Sequence, residues 1–399
     1  MKILYVVHQF FPEHHTGTER LTLQIAKQIQ KMGNFVTVLT YEPNKIIKGF
    51  IPLDEHVMKK EYQFETIPVI AFKINEINTD FNIFNDKIIK YLPDIIKKFD
   101  IVHFTHPMRL GSVLKVCKEI GTPTVLTLTD NWLLCPTGLL TKNLGLCDGP
   151  DEGRKCMLIC NYDDKILSRY KDAKYFFDNI DMTFAGCEFL RESFAINEWK
   201  NQIELNTFSM DYSYVKPQGE KQELVFGFIG SLIWQKGVHV LIRAFKKISR
   251  DDIKLKIYGT GVAGDGTTQR LYALAKGDKR IEFCGTFDYD DLTDVMKEIS
   301  VLVIPSTYKE IYPLVMQIAR AYKKPIIASK VGGMPEVIEH GVNGFLFEMG
   351  NSDELSKIID IIVKDPKLIE KLKEKITFPP SVEEEVFKYM NGYENLLNL

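Results

Sequence analysis

The sequence lacks three features that would place it in a specialised class of protein. No stretch reaches the run of about 18 apolar residues that a membrane-spanning helix requires. The formal net charge is only −2, from 51 Lys and Arg against 53 Asp and Glu, so no general positive field would hold nucleic acid. The apolar run from Ile3 to Val7 is too short for a secretion signal, because His8 ends it. We therefore expect a cytoplasmic protein that does not bind nucleic acid.

The seven cysteines, an odd number, lack the spacing of a disulfide framework, and no tight Cys-x-x-Cys pair is present. Four of them lie in a polar loop over residues 135–160: Cys135, Cys147, Cys156 and Cys160. Four thiolates in a loop too polar to form its own core would suit a structural zinc ion, with an iron–sulfur cluster as a second option. Unligated thiols are the alternative interpretation. The other three fall in apolar segments and are expected to be packing residues: Cys117, Cys187 and Cys284.

Apolar strands alternate with amphipathic helices along most of the 399 residues, a length that predicts two domains. In the first part, strands are predicted at 3–7, 35–40, 101–104 and 123–128, and helices at 19–32 and 111–120. A second series has strands at 225–229, 255–258, 281–284, 301–305 and 325–328, and helices at 238–249, 292–299 and 314–322. This alternation is typical of doubly wound α/β domains with parallel sheets.

We predict an N-terminal Rossmann-like domain over 1–205, a linker over 206–221 and a C-terminal domain over 222–380. The linker contains Pro217 and Gly219 and shows no clear period. Doubly wound sheets bind ligands at the carboxyl ends of their strands, so we expect the two domains to face a central cleft.

The C-terminal domain carries a loop, 230–237, between a predicted strand and a predicted helix. Lys236 stands just before that helix, so its ammonium group and the free amides of the helix start could meet a diphosphate together. By itself, this spacing fits a solvated lysine equally well.

Nine motifs nevertheless follow one another in this domain. They are Phe228-Ile229-Gly230, Lys236-Gly237, Tyr258-Gly259-Thr260-Gly261, Phe283-Cys284-Gly285, Pro305-Ser306, Glu310-Ile311-Tyr312-Pro313-Leu314, Pro325-Ile326-Ile327-Ala328-Ser329, Val331-Gly332-Gly333-Met334-Pro335-Glu336-Val337 and Gly341-Val342-Asn343-Gly344. This succession resembles the donor domain of retaining GT-B glycosyltransferases, family 4 (glycosyl transferases group 1). The resemblance is strong over about 222–365 and fainter over 1–135.

The resemblance implies a GT-B fold, a nucleoside diphosphate sugar as donor and chemistry that needs no metal. It also implies a helix in 381–399 that packs back on the N-terminal domain, and domain closure about the linker. Lys236 would hold the donor diphosphate, Glu310 would contact the transferred sugar, and Asp130 would contact an acceptor hydroxyl. Further donor contacts would come from Gly17, Gly230, Ser231, Gly259, Gly261, Cys284, Tyr312, Pro313 and Leu314.

Three positions depart from the family pattern. Ser231 stands where the family usually has a phosphate-binding arginine, and Ile318 stands where it has a second glutamate. Thr129 replaces the histidine of a His-Asp segment, although Asp130 remains. Helical spacing puts Ile318 on the face of Leu314, where it could be a core residue. Asp130 could equally be a turn residue or a helix cap.

We expect a retaining glycosyltransferase that moves a sugar from a nucleoside diphosphate sugar to a glycan or a lipid-linked acceptor, in polysaccharide or cell-surface glycan synthesis. The three departures favour an alternative, a weakened or inactive GT-B protein that binds sugars or a partner.

The segment 86–99 has an apolar face and several lysines, so it could lie peripherally on the inner face of the membrane. It could equally pack on the sheet.

Overall fold

The computed structural model describes residues 1–43, 49–74, 81–142, 145–199, 201–213, 215, 223–261, 264–288 and 291–398. The chain forms two compact units. The first consists of Met1–Asn143, Cys147–Met210 and Pro380–Leu399, and the second of Leu144–Leu146 and Asp211–Pro379. Within the linker predicted over 206–221, residues 214 and 216–221 lie outside the described residues.

Most strands of the N-terminal half form one sheet. The strands are β1 (Lys2–Val7), β2 (Phe35–Tyr41), β3 (Ile51–Pro52), β4 (Val57–Phe64), β5 (Ile67–Ile74), β6 (Ile101–Phe104), β7 (Thr124–Leu128), β8 (Thr141–Lys142), β9 (Gly145–Leu146), β10 (Met182–Ala185) and β11 (Ile203–Leu205). Nine of them pair in the order β11-β10-β7-β6-β1-β2-β5-β4-β3, and β8 pairs with β9. The predicted strands at 3–7, 35–40, 101–104 and 123–128 are confirmed as β1, β2, β6 and β7.

Within its described residues, the first unit has six helices before its last strand β11, and the longer ones bury an apolar stripe. They are α1 (Gly17–Lys31), α2 (Pro93–Ile96), α3 (Ser112–Ile120), α4 (Arg154–Cys160), α5 (Lys165–Asp178) and α6 (Glu188–Ile196). α1 begins at Gly17, so this glycine lies in the first helical turn rather than in the preceding loop. Gly121 follows α3 with a φ of +82°, the left-handed conformation that ends a helix before β7.

The sequence prediction missed the antiparallel hairpin of β4 and β5. These strands pair from Val57 with Ile74 to Phe64 with Ile67, and Glu65 turns the chain at a φ of +48°. β4 is only partly buried, and its polar residues hide the apolar alternation that indicates a strand. The hairpin extends the parallel sheet at one edge without changing the carboxyl ends of β1, β6 and β7.

The second unit is a six-stranded, parallel sheet in the order β14-β13-β12-β15-β16-β17. Its strands are β12 (Leu224–Ile229), β13 (Ile253–Tyr258), β14 (Ile281–Gly285), β15 (Val301–Ile304), β16 (Ile326–Ser329) and β17 (Gly344–Phe347). Its helices are α7 (Val238–Phe245), α8 (Thr267–Ala275), α9 (Leu292–Glu298), α10 (Leu314–Ala321), α11 (Ser352–Lys364) and α12 (Leu368–Lys375). β12, β15 and β16 are almost fully buried, as expected for parallel strands covered on both faces.

The last helix, α13 (Val382–Leu397), belongs to the first unit. It begins with a capping box, in which the Ser381 hydroxyl accepts the Glu384 amide and the Glu384 carboxylate accepts the Ser381 amide. Its buried face includes Tyr389 and Tyr393, both fully buried. The C-terminal segment Pro380–Leu399 therefore joins the same unit as Met1–Asn143 and Cys147–Met210.

The segment 86–99 packs against the protein. It forms a 3₁₀ turn over Asp86–Tyr91 followed by α2, and the side chains of Ile88, Leu92 and Ile96 are fully buried. Of the two interpretations of this segment, the structure supports packing within the protein, because the protein interior covers the apolar face. Among the described residues, no helix is long and apolar enough to cross a membrane.

Candidate functional site

Lys236 lies in a 3₁₀ turn, Trp234–Lys236, that follows β12 and leads into α7. Gly237 takes the left-handed φ of +72°, and a Cβ there would lie 1.8 Å from the Pro305 carbonyl oxygen. Thr307 donates its amide to the Gln235 carbonyl at 2.7 Å. The loop after β12 is therefore held directly against the loop after β15, at the carboxyl ends of two neighbouring strands.

Lys236 and Glu310 form an ion pair between these loops. The Lys236 ammonium contacts Oε1 of Glu310, and the Ser306 hydroxyl donates to Oε2. The Glu310 side chain is 7% exposed and that of Lys236 is 24% exposed. Burial by itself lowers the pKa of Lys236, but the Glu310 carboxylate and the Tyr308 hydroxyl outweigh it, so that pKa is raised. Lys236 is a fixed positive charge with one accessible side, and Glu310 is not an exposed loop acid.

The backbone of Glu310 is fixed by the loop after β16. The Gly333 amide donates to the Glu310 carbonyl at 3.0 Å. Gly332 has a φ of +62°, and a Cβ at this residue would lie 1.8 Å from the same carbonyl oxygen. Only glycine allows both the conformation and this close approach. The motif that contains Gly332 therefore positions Glu310, and α10 begins four residues later at Leu314.

Three further glycines let the loops after β12, β13 and β14 pack backbone to backbone. A Cβ on Gly259 would lie 1.9 Å from the Gly230 carbonyl oxygen, and one on Gly261 would lie 2.0 Å from Oγ1 of Thr268. The Gly259 amide donates to the Gly285 carbonyl at 2.7 Å. These contacts bring the backbones of the three loops together at the carboxyl ends of their strands, where the glycines carry no side chains.

Ser231 and Ile318, two of the three departures from the family pattern, differ in their exposure to solvent. Ser231 is exposed, and Ile318 is 8% exposed on α10, which confirms it as a core residue. Cys284 is exposed at the end of the edge strand β14, so the expectation that it packs in the core is wrong. Of the predicted donor residues, Lys236 and Glu310 are thus in direct contact, while Tyr312, Pro313 and Leu314 form the entry to α10.

The first unit has a second polar cluster, after β1, β6 and β7. Asp130 accepts the Trp132 amide at 2.7 Å through Oδ1, and its Oδ2 lies 3.4 Å from Nε2 of His106. Thr129 instead donates to the Thr105 carbonyl at 3.1 Å. The Met108 amide lies 3.3 Å from Nδ1 of His106, which makes Nδ1 an acceptor and leaves the ring proton on Nε2, facing Asp130.

His106 contacts a second histidine that sequence reasoning did not select. The rings of His8 and His106 are 4.2 Å apart, and Nε2 of His8 lies 3.4 Å from Oε1 of Glu19. Burial, together with the neighbouring His106 and Arg109 side chains, holds the pKa of His8 well below its usual range. A signal was present in the sequence, because His8 directly follows β1 and His106 follows β6, and parallel neighbours end at the same edge.

The four cysteines of the loop 135–160 lie near one another, because the thiols of Cys135, Cys147 and Cys160 all act on Cys156. Among the described residues, no group of three His, Cys, Asp or Glu side chains is placed to hold a metal ion. Cys156 is buried and Cys160 is exposed, while Sγ of Cys135 contacts Oγ1 of Thr137 at 3.2 Å. Burial and the nearby thiols raise the pKa of Cys156 to about 12, which keeps its thiol protonated. In the described part of the chain, the arrangement therefore does not provide the zinc or iron–sulfur ligand set expected from the sequence.

Comparison with solved structures identifies the fold. A glycosyltransferase from Rickettsia africae has a TM-score of 0.71 at 18% identity, covering 99% of this chain and 98% of that one. HepE of Anabaena, in complex with UDP and glucose, also has a TM-score of 0.71 at 18% identity, covering 100% of both chains. The protein has the GT-B fold, with two Rossmann-like domains.

Residues 214–377 match the family model described as glycosyl transferases group 1. An uncharacterized glycosyltransferase of Methanocaldococcus jannaschii is 34% identical over 173 residues, which are 43% of this chain and 44% of that protein. A D-inositol 3-phosphate glycosyltransferase of Corynebacterium jeikeium is 24% identical over 290 residues, 65% of this chain and 68% of that protein. The chain spans less than half the length of the first two curated relatives, at 44% and 47%.

Proposed function

We propose that the protein is a retaining, metal-independent glycosyltransferase of family 4 that uses a nucleoside diphosphate sugar. The observation that carries this proposal is the Lys236–Glu310 pair, set among backbone surfaces that Gly237, Gly259 and Gly332 keep free of side chains. The match of residues 214–377 to the group 1 model supports it. Because the structures of HepE contain UDP or UDP-glucose, a uridine diphosphate sugar is the first donor to test.

In this proposal Lys236 compensates the negative charge that builds up on the departing diphosphate. Its ammonium group is already fixed by Glu310 and Tyr308, so little reorganisation is needed when the bond to the sugar breaks. The amides at the start of α10 would add a second, weaker positive region. Glu310 would accept a hydroxyl of the transferred sugar. Asp130, with one oxygen on the Trp132 amide and the other on His106, would accept a hydroxyl of a glycan or lipid-linked acceptor.

The alternative is a GT-B protein that binds sugars without turnover. Ser231 and Ile318 favour it, because each removes a polar group that the family uses to hold the donor. Two successive measurements, of ligand binding and of turnover, separate the enzyme from the protein that only binds. Thermal unfolding is measured with uridine, guanosine, adenosine and thymidine diphosphates and their sugars, and a ligand at about 100 times its Kd should add about 2.7 kcal/mol of stability. Selective stabilisation, followed by release of the nucleotide from its sugar, supports the transferase. A folded protein that responds to none of them contradicts it.

The role of His106 can be tested with two amide variants. In His106→Gln the side-chain amide can replace Nε2 beside Asp130, whereas in His106→Asn it can replace only Nδ1 at the Met108 amide. We expect transfer to fall about tenfold in His106→Asn, since a contact to a carboxylate is worth about 1.5 kcal/mol, and to be largely retained in His106→Gln. The measurement is sugar transfer to octyl glycosides, beside the thermal response to the nucleotide, which should be equal in both variants. Equal transfer in the two variants would show that His106 does not position Asp130.

A further inference from the structure

The chain leaves the first unit for the main part of the second and later returns, and these two crossings are joined inside the first unit. It leaves the first unit after Met210 and returns to it at Pro380. Met210 and Ser381 form an isolated parallel β-bridge. The segment before the first crossing, 206–210, is therefore paired with the segment after the second crossing, which continues directly into α13.

One carboxyl group makes most of the side-chain contacts across this junction. Oε2 of Glu385, one turn into α13, accepts the Ser209 amide at 2.9 Å and the Ser209 hydroxyl at 2.5 Å. The Asn206 amide group donates to the Glu385 carbonyl at 3.0 Å. Glu385 is 1% exposed, so these contacts are shielded from water. Removing the side chain would leave the Ser209 amide without its acceptor.

The carboxyl group also ends a buried chain of hydrogen bonds that runs into the sheet. Tyr389 donates to Oε1 of Glu385 at 3.2 Å, and Thr127 donates to the Tyr389 oxygen at 3.2 Å. His103 contacts Thr127 at 2.7 Å through Nε2 and the Tyr393 hydroxyl at 2.5 Å through Nδ1. The Tyr393 and Tyr5 hydroxyls are 2.8 Å apart, so the chain of contacts reaches β1.

These surroundings supply donors but little positive charge. Three tyrosines and one histidine are the titratable groups around Glu385, and one lysine acts on it more weakly. They are Tyr5, Tyr389, Tyr393, His103 and Lys388. Burial holds the pKa of His103 at about 3, so its ring is neutral. In the part of the chain that the structure describes, Glu385 has no ion-pair partner within 4.0 Å. An ionised carboxylate here would be hydrogen-bonded but electrically uncompensated.

We propose that Glu385 is a proton-linked clamp: it holds the two chain crossings together most firmly when it is protonated, and when it ionises the uncompensated buried charge makes the junction open more readily. The proposal does not depend on the enzymatic function, because every contact that carries it lies within the first unit.

The direction of the pH effect follows from the pKa of the clamp. Burial raises the pKa of Glu385 to about 7, above the value of 4.5 that applies when the group is released into water. A raised pKa in the closed state means that the closed clamp binds a proton that the open clamp gives up. The clamp is therefore most stable below about pH 4.5, and its stability falls as the pH rises to 7 and stays low above it.

Hydrogen exchange on the full chain tests the clamp. The Ser209 amide, whose N–H donates to Glu385, is followed in peptides that cover 206–211, at pH 5 and pH 7, in the wild type and in Glu385→Gln. After correction for the intrinsic exchange rate, linkage predicts that opening in the wild type increases about 30-fold between these pH values. Glu385→Gln keeps the shape of the side chain but cannot ionise, so its opening should be independent of pH.

A second variant covers the case in which Glu385→Gln does not fold. Ser209→Ala retains the titrating carboxyl and removes one donor that favours its ionised form, so the pKa of Glu385 should rise and the pH dependence should become steeper. Peptides from α7 in the second unit serve as the internal control and should not respond to either change. The same pH dependence at Ser209 in the wild type and both variants would overturn the proposal.

Discussion

Replacing Lys236 with alanine is expected to abolish stabilisation by a nucleotide and to lower sugar transfer at least about 100-fold, the loss typical of removing one fixed group that faces developing charge. The variant also leaves the Glu310 carboxylate, whose side chain is 7% exposed, with the neutral Ser306 and Tyr308 hydroxyls as partners and no cation. Removing one partner of a buried ion pair costs about 3–5 kcal/mol, and we expect about 3 because Lys236 is itself partly exposed. Chemical denaturation and nucleotide titration measure the two effects separately.

The double variant Lys236→Met with Glu310→Gln distinguishes binding from folding. It has no buried charge left, so the free energy of unfolding should recover toward that of the wild type while the response to nucleotide stays absent. Lys247→Ala is the matched surface control, since Lys247 pairs with Asp353 at 2.6 Å but both side chains are exposed, and such a pair contributes less than about 1 kcal/mol. A Lys236→Ala protein that still binds nucleotide would place the donor elsewhere.

The second large effect is expected at Gly332. Gly332→Ala must place a Cβ 1.8 Å from the Glu310 carbonyl oxygen in a conformation with a φ of +62°. The backbone conformation alone costs about 1 kcal/mol for alanine, and relieving the overlap costs about 1–3 kcal/mol more. The free energy of unfolding should therefore fall by about 2–4 kcal/mol. Because the carbonyl that must move belongs to Glu310, the variant should also lose donor binding.

Gly341→Ala provides the control within the same unit. Gly341 also has a positive φ, +79°, but a Cβ there meets no atom within 4 Å. We expect it to lose only the conformational cost of about 1 kcal/mol and to bind the donor normally. Denaturant midpoints of the two variants decide the matter. Equal losses would mean that the loop after β16 moves freely and does not position Glu310.

The two α/β units could be predicted from the sequence because buried parallel strands are continuous apolar runs. β1, β2, β12, β15 and β16 were all evident in this way, since neither face of such a strand meets water. β4 was missed because it is only partly buried near the end of the sheet, which lets polar and charged residues occupy one face. Cys284 was predicted to pack in the core because its segment is apolar. It is exposed because β14 lies at the edge of its sheet.

The donor cluster was partly accessible from the order of its motifs. Lys236 and Glu310 were selected as separate residues, but their pairing across 74 positions was not predicted. The pairing depends on how tightly two loops approach, which Gly237 permits through a contact with the Pro305 carbonyl that has no sequence pattern of its own. The loss of a histidine at Thr129 was recognised, whereas the contact between His106 and Asp130 needed the three-dimensional register of β6 and β7.

The placement of α13 has a consequence for the order in which the protein can mature during its synthesis. Tyr393 is made 388 positions after the Tyr5 that it contacts, and the whole second unit is translated in between. At about 5–20 residues per second, the growing chain carries an incomplete first unit for about 10–40 s. During that interval the polar face of β1, β6 and β7 that α13 later covers remains open to water and to chaperones. The second unit should therefore reach its native state on the ribosome before the first, even though it comes later in the chain.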